Sequence, residues 1–151
     1  MRAKILNASA GSGKTYQLAY KYVRDVIDQP GLYRHILAVT FTNKATEEMK
    51  SRILKEIHRL ASGGASPYLE NLCRELSLDE RSVRKRAAEV RSKILHDYSR
   101  FTVLTIDTFF QRILRAFIKE LGIDLNYNVE IETASVLSLS LIHISEPTRP
   151  Y

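Results

Sequence analysis

The stretch that decides the fold is "NASAGSGKTYQ", residues 7–17. It follows a short apolar run, "AKILN" (residues 3–7). It leads into a segment whose apolar positions have helical spacing: Leu18, Ala19 or Tyr22, Val23, and Val26 or Ile27. Strand, glycine turn, helix is the setting in which backbone N–H groups converge on phosphate oxygens and the helix dipole adds favourable charge. The general pattern of such a loop is G-x-x-x-x-G-K-[ST]. In that register the positions are Ala8, Ser9, Ala10, Gly11, Ser12, Gly13, Lys14 and Thr15, so the first glycine alone is missing. That position lies at the strand exit, further from the phosphates, and tolerates a small alanine. Gly11 and Gly13 permit the backbone conformations of an anion-binding nest. Lys14 is placed to reach the β- and γ-phosphates of ATP, and the Thr15 hydroxyl to coordinate Mg²⁺. Lys14 and Thr15 are therefore the candidate catalytic residues, and Ala8 to Thr15 the nucleotide site. The plain alternative is a chance glycine–serine turn opening a helix. The strand before, G-S-G-K-T within and helix after weigh against it.

Working outward, "HILAVTFT" (residues 35–42) is a continuous apolar and β-branched run, the mark of a strand buried on both faces. A helix is expected from about Asn43 to Ala61, with Met49, Ile53, Ile57 and Leu60 as its apolar stripe. "ASGGASP" (residues 61–67) reads as a hinge, and residues 68–98 as helical in two or three pieces. "FTVLTID" (residues 101–107) reads as a further strand, followed by a helix, "TFFQRILRAFIKELG", that Gly122 ends. "NYNVEIE" (residues 126–132) completes the pattern as a short strand. Strands alternating with helices imply an α/β fold with a parallel sheet covered by helices.

At 151 residues the chain suits one domain, and 44% hydrophobic with 26% charged residues is the composition of a soluble globular protein. No apolar run approaches the about 20 residues that span a membrane, and the start lacks the apolar stretch of a signal peptide. Cys73 is the single cysteine, which excludes an intrachain disulfide framework and a cysteine-based metal cluster. A cytoplasmic location is the expectation. The net charge of +6 favours polyanionic partners mildly.

"ASAGSGKT", then "ILAVTFTNKATEEMKSRIL", then "LTIDTFFQRILR" together resemble the UvrD/Rep/RecB-like superfamily 1 DNA helicases, with the RecB- or AddA-like branch nearest in flavour. In that family the first motif commonly reads A-x-x-G-x-G-K-T, so Ala8 is the family's own departure. The resemblance covers about residues 3–132. It implies the N-terminal part of a RecA-like P-loop NTPase domain with a helical insertion at about residues 62–100. It implies ATP and Mg²⁺ as cofactors, single-stranded DNA as partner, translocation on that strand, and a helicase–nuclease partner subunit in an intact parent. The family's upstream glutamine motif has no room before Met1, so base recognition rests on Tyr16 or Gln17, or on parts outside this chain. The family's acidic D-E-x-Q pair and a second lobe with an arginine finger are not found in the sequence, and the chain alone is expected to be inactive.

Single-strand binding needs aromatic faces for bases and hydroxyl, amide and ammonium donors for phosphates. Phe41 supplies a face, and Thr40, Thr42, Asn43 and Lys44 supply donors, Asn43 also being a good helix cap. Phe41 reads equally well as core. The resemblance favours DNA for Thr42, Asn43 and Lys44. Thr105, Asp107 and Thr108 occupy a second strand-to-helix corner; Thr105 and Asp107 are further DNA candidates. Asp107 stands where many relatives carry histidine, and capping the helix is an equal reading for it. Phe109, Phe110, Ile113, Leu114 and Phe117 are spaced for burial and read as core.

The segment from Arg81 to Arg100 holds seven basic residues against Glu89 and Asp97. Val83, Ala87, Val90 and Ile94 form its apolar stripe, which leaves Arg84 and Arg91 facing solvent, either as a plain solvated face or as phosphate contacts. Two rival classes remain in view: a P-loop nucleotide kinase, and a non-catalytic nucleotide- or DNA-binding fragment. The kinase leaves "AVTFTNKATEEM" unexplained. Finally, Leu139 to Pro150 resembles the translated product of a transposon-derived sequencing-library adapter. The expectation is native sequence to about residues 136–138, with residues 133–151 a non-native or disordered tail.

Overall fold

A computed structural model describes residues 13–122. The strand expected at residues 3–7, the loop residues Ala8 to Ser12, the strand at 126–132 and the tail from 133 lie outside that range. The chain divides into two units, residues 1–112 and 113–151, and the second contributes the end of one helix to the described part.

The first unit is mainly helical around a small sheet. Helix α1 (Lys14–Asp28) is followed by a 3₁₀ turn at Leu32–His35, strand β1 (Ala38–Thr40) and helix α2 (Asn43–Ala61). Helices α3 (Leu69–Leu76) and α4 (Glu80–His96), a 3₁₀ turn at Tyr98–Arg100 and strand β2 (Val103–Thr105) come next. Helix α5 (Ile106–Glu120) continues into the second unit. The two strands are parallel, with Ala38 opposite Val103, Val39 opposite Leu104 and Thr40 opposite Thr105. A two-strand parallel sheet with helices packed against it is consistent with part of an α/β domain.

Both strands are shorter than their apolar runs. The 3₁₀ turn takes up His35, and Thr42 leaves the extended strand to cap α2, so β1 keeps three residues of the run 35–42. At the second corner the Thr105 hydroxyl accepts the Thr108 N–H at 3.2 Å, which starts α5 at Ile106. A side chain that satisfies an orphan helix N–H sets the element boundary, and apolar content does not.

Helix α2 has the expected bounds, and its stripe Met49, Ile53, Ile57 and Leu60 is buried. It meets Ala19, Val23, Val26 and Ile27 of α1 and Val83, Ala87, Val90 and Ile94 of α4 in one apolar cluster. Helix α4, in the segment read as an insertion, thus contributes its apolar stripe to that core. Burying each valine, isoleucine, leucine or methionine of this cluster contributes about 1.5–3 kcal/mol. Leu18 departs from the expectation: it is 48% exposed, and Ala19 takes the inward position. The apolar positions of α5 depart too. None of its residues is buried, and Phe110 is 62% exposed. Helical spacing fixes which residues share a face; a second surface must exist to cover it.

Candidate functional site

Of the glycine loop, Gly13, Lys14 and Thr15 are described. Gly13 precedes α1 with φ 78° and ψ 24°, in the left-handed region. A Cβ built there would meet no atom within 4 Å, so the backbone conformation, and not space, calls for glycine. Its carbonyl accepts the Gln17 N–H at 3.0 Å, closing the first helical turn. Lys14 is exposed and Thr15 half-buried. No acidic residue stands in the first turn of α1 to oppose an anion. Tyr16 is 39% exposed, its ring edge-on to Tyr68 with centroids 5.1 Å apart.

The second cluster forms where β1 and β2 end. Because the strands are parallel and Thr40 is in register with Thr105, α2 and α5 both begin at the same end of the sheet. In open parallel sheets this carboxyl end is where ligands gather. Thr40, Phe41, Thr42, Asn43, Lys44 and Thr105 meet here, and Asp107 sits exposed in the first turn of α5.

Their roles divide by exposure and bonding. The Thr40 hydroxyl lies 2.5 Å from that of Thr46 and 3.3 Å from the Thr42 carbonyl, while the Thr46 hydroxyl donates to the same carbonyl at 3.1 Å. Thr105 is 7% exposed and its hydroxyl pairs with that of Thr108 at 2.9 Å. Thr40 and Thr105 are therefore architectural. Thr42, not Asn43, caps α2: its hydroxyl oxygen accepts the Ala45 N–H at 3.1 Å, which leaves its proton available for an outside acceptor. Asn43 is the first helical residue, and its side chain and that of Lys44 are exposed. Phe41 is 86% exposed, which removes the core reading for it. A bare phenyl ring beside an amide, a hydroxyl and an ammonium at a helix N-terminus is suited to a stacked base and its phosphate.

The basic stretch of α4 has a different use from the one its composition suggests. Arg84 donates to the carbonyls of Leu60 and Gly64, both at 3.1 Å, where α2 ends. Arg86 donates to the carbonyls of Asp28 at 2.9 Å and Ile27 at 3.3 Å, where α1 ends. Arg91 reaches Ser62 Oγ at 3.1 Å. Helix ends leave carbonyls without partners, and here side chains from α4 satisfy them. Arg84 and Arg91 thus face the core's helix ends instead of open solvent, while Arg81 and Lys85 are exposed.

Sequence reading missed a network behind the first turn of α1. Glu56, 6% exposed, accepts from Arg59 Nη1 and from Ser66 Oγ, each at 2.8 Å; Ser66 Oγ in turn accepts the Tyr68 N–H at 3.2 Å. Burial, reinforced by the Glu56 carboxylate, pushes the Tyr68 phenol up to about 12. No local pattern marks a tyrosine between α2 and α3 as the partner of a helical residue 52 positions earlier.

Among the described residues no group of three or more His, Cys, Asp or Glu could hold a metal ion. No described helix is long and apolar enough to cross a membrane.

A glycine turn opening α1 and a polar corner at the carboxyl ends of parallel strands are features of part of an α/β domain. The profile of the UvrD/REP helicase N-terminal domain matches residues 2–146, and the chain belongs to that family. That match runs into the stretch read above as adapter-like. Among curated relatives, the RecBCD enzyme subunit RecB of Escherichia coli K12 is 31% identical over 119 residues, covering 74% of this chain and 10% of the relative. An ATP-dependent helicase/nuclease subunit of Acetivibrio thermocellus is 27% identical over 138 residues, covering 90% and 9%. The protein of the same name from Clostridium novyi is 30% identical over 135 residues, covering 88% and 9%. The chain thus spans about a tenth of the length of these relatives. No solved structure is a significant match.

Proposed function

We propose that this chain is the N-terminal ATP-binding portion of an ATP-dependent DNA helicase, of the kind that translocates on single-stranded DNA as a helicase–nuclease subunit. Residues 1–132 are the native domain portion in this reading, and the site of action is cytoplasmic. The observation that carries it is the corner at the end of β1. Phe41 is 86% exposed there, between a strand and a helix whose N-terminus presents Thr42, Asn43 and Lys44. A nucleotide kinase has no use for such a surface.

In this reading Ala8 to Thr15 hold the phosphates of ATP. Lys14 neutralises the β- and γ-phosphates, Thr15 contacts the Mg²⁺, and hydrolysis supplies the free energy for translocation. At the corner, Phe41 stacks a base, and Thr42, Asn43 and Lys44 donate to backbone phosphates. Thr40 and Thr105 hold the two helix starts in place. Asp107 acts through α5, where a carboxylate in the first turn complements the dipole.

The test is the ATPase activity of a full-length parent with and without single-stranded DNA. Stimulation by DNA, lost in Lys14→Ala and weakened in Phe41→Ala, is expected. Unstimulated turnover with phosphate transfer to a small acceptor would replace this reading with the kinase.

A further inference from the structure

The first turn of α1 carries Lys14 and Thr15, yet among the described residues its own side chains give it little anchorage. Gly13 makes no side-chain cap, and Lys14, Tyr16 and Gln17 are exposed. What holds this turn from behind is Tyr68, which belongs to the loop between α2 and α3 and is 1% exposed. Its ring meets Tyr16 edge-on at 5.1 Å and Tyr20 edge-on at 5.2 Å, so it grips α1 at two positions one turn apart. Its hydroxyl donates to the backbone carbonyl of Tyr16 at 3.4 Å.

The grip is itself fixed. Tyr68 N–H is held by Ser66 Oγ, and Ser66 by the buried carboxylate of Glu56, whose other oxygen takes Arg59. A buried carboxylate with both oxygens occupied is costly to displace, which makes the loop a firm seat and not a mobile strap. The line of contacts runs from α2 through the loop to the residue directly after Thr15.

We propose that Tyr68 is a positioning residue for the nucleotide: it sets the first turn of α1, and with it the aim of Lys14 and Thr15, through Tyr16. This rests on the reading of Gly13 to Thr15 as a phosphate site. Tyr68 touches no substrate; it acts through α1, as a supporting shell fixes a site to within a fraction of an ångström.

The test uses the 151-residue chain, a fluorescent ATP analogue with Mg²⁺, and anisotropy titration, with a thermal melt of every variant. Tyr68→Leu is expected to weaken nucleotide binding about five- to tenfold, as loosened support does. Tyr68→Phe keeps both ring contacts and is expected to bind within about twofold of the unaltered chain. Phe101→Leu is the structural control: Phe101 is 5% exposed and packs edge-on to Tyr22, away from the first turn. It should lower the melting temperature comparably and leave affinity unchanged.

Unaltered affinity in Tyr68→Leu overturns the proposal. So does an equal affinity loss in Phe101→Leu at a matched loss of stability, since that pattern belongs to global softening. Should Tyr68→Leu fail to fold, Ser66→Ala decides: about two- to threefold weaker binding supports the proposal, and full affinity overturns it. Failure of the phosphate-loop reading looks different, because the unaltered chain and Lys14→Ala would then bind the analogue equally or not at all.

Discussion

Thr40 and Thr105 lie opposite each other across the two parallel strands, and each commits its hydroxyl to the start of the helix that follows its own strand. This pair brings the N-termini of α2 and α5 to one end of the sheet, where Phe41, Asn43 and Lys44 at the start of α2 are exposed. Two helix N-termini at the same end of the sheet direct two positive dipole ends there.

Phe41→Ala should separate binding from stability. A ring that is 86% exposed contributes little to folding, so the melting midpoint should move by less than about 0.5 kcal/mol equivalent. Affinity for a fluorescent oligothymidylate should fall by about 1–3 kcal/mol if a base stacks on that ring. Binding should also weaken with salt and depend little on sequence. Unchanged affinity would return Phe41 to an ordinary exposed side chain.

Thr42→Ala removes the cap of α2 and is expected to cost about 1 kcal/mol in urea unfolding. Because the same hydroxyl keeps a free proton, DNA affinity should drop with it. Thr42→Ser should recover both, while Asn43→Ala should spare stability, since Asn43 is not the cap.

Arg84→Ala should destabilise the chain by about 1–3 kcal/mol, because two carbonyls at the end of α2 lose a charged donor. DNA affinity should hold. Arg81→Ala, from the exposed side of the same helix, should leave stability within about 0.5 kcal/mol. If the two variants lose DNA affinity equally, α4 is a phosphate surface after all.

Lys14→Ala should abolish Mg²⁺-dependent nucleotide binding while the far-ultraviolet spectrum and melt stay those of the unaltered chain, because Lys14 is exposed. Thr15→Ala should raise the Mg²⁺ concentration needed for binding. Retained binding in Lys14→Ala would remove the loop from the nucleotide site.

Alkaline unfolding should report the tyrosine cluster. Tyr68 and Tyr20 are each pushed up to about 12, chiefly by burial, from the ordinary value of 10.0. A phenol raised in the folded state gives stability that is whole below pH 10 and is lost as pH rises towards 12. The melting temperature should therefore fall across that window, and the fall should be smaller in Tyr68→Phe, which has no proton to lose there. An identical pH profile for both proteins would place the loss elsewhere.

The sequence by itself determined whatever depends on spacing along one element. The bounds and apolar stripe of α2, the stripe of α4 and the family to which the chain belongs were all readable from local pattern, because a period of 3.6 residues fixes which side chains share a face. The tertiary structure alone decided what lies opposite each face. Phe41 could be core or surface until the strand ended at Thr40 and left it bare. The α4 arginines read as a charged surface until the ends of α1 and α2 came within hydrogen-bond reach of them. Tyr68 had no role until the segment between α2 and α3 brought its ring against Tyr16. These outcomes share one cause: an exposed ring, a satisfied carbonyl and an edge-on aromatic contact are relations between residues far apart in sequence. Local periodicity holds no information about them; the chain's packing creates them.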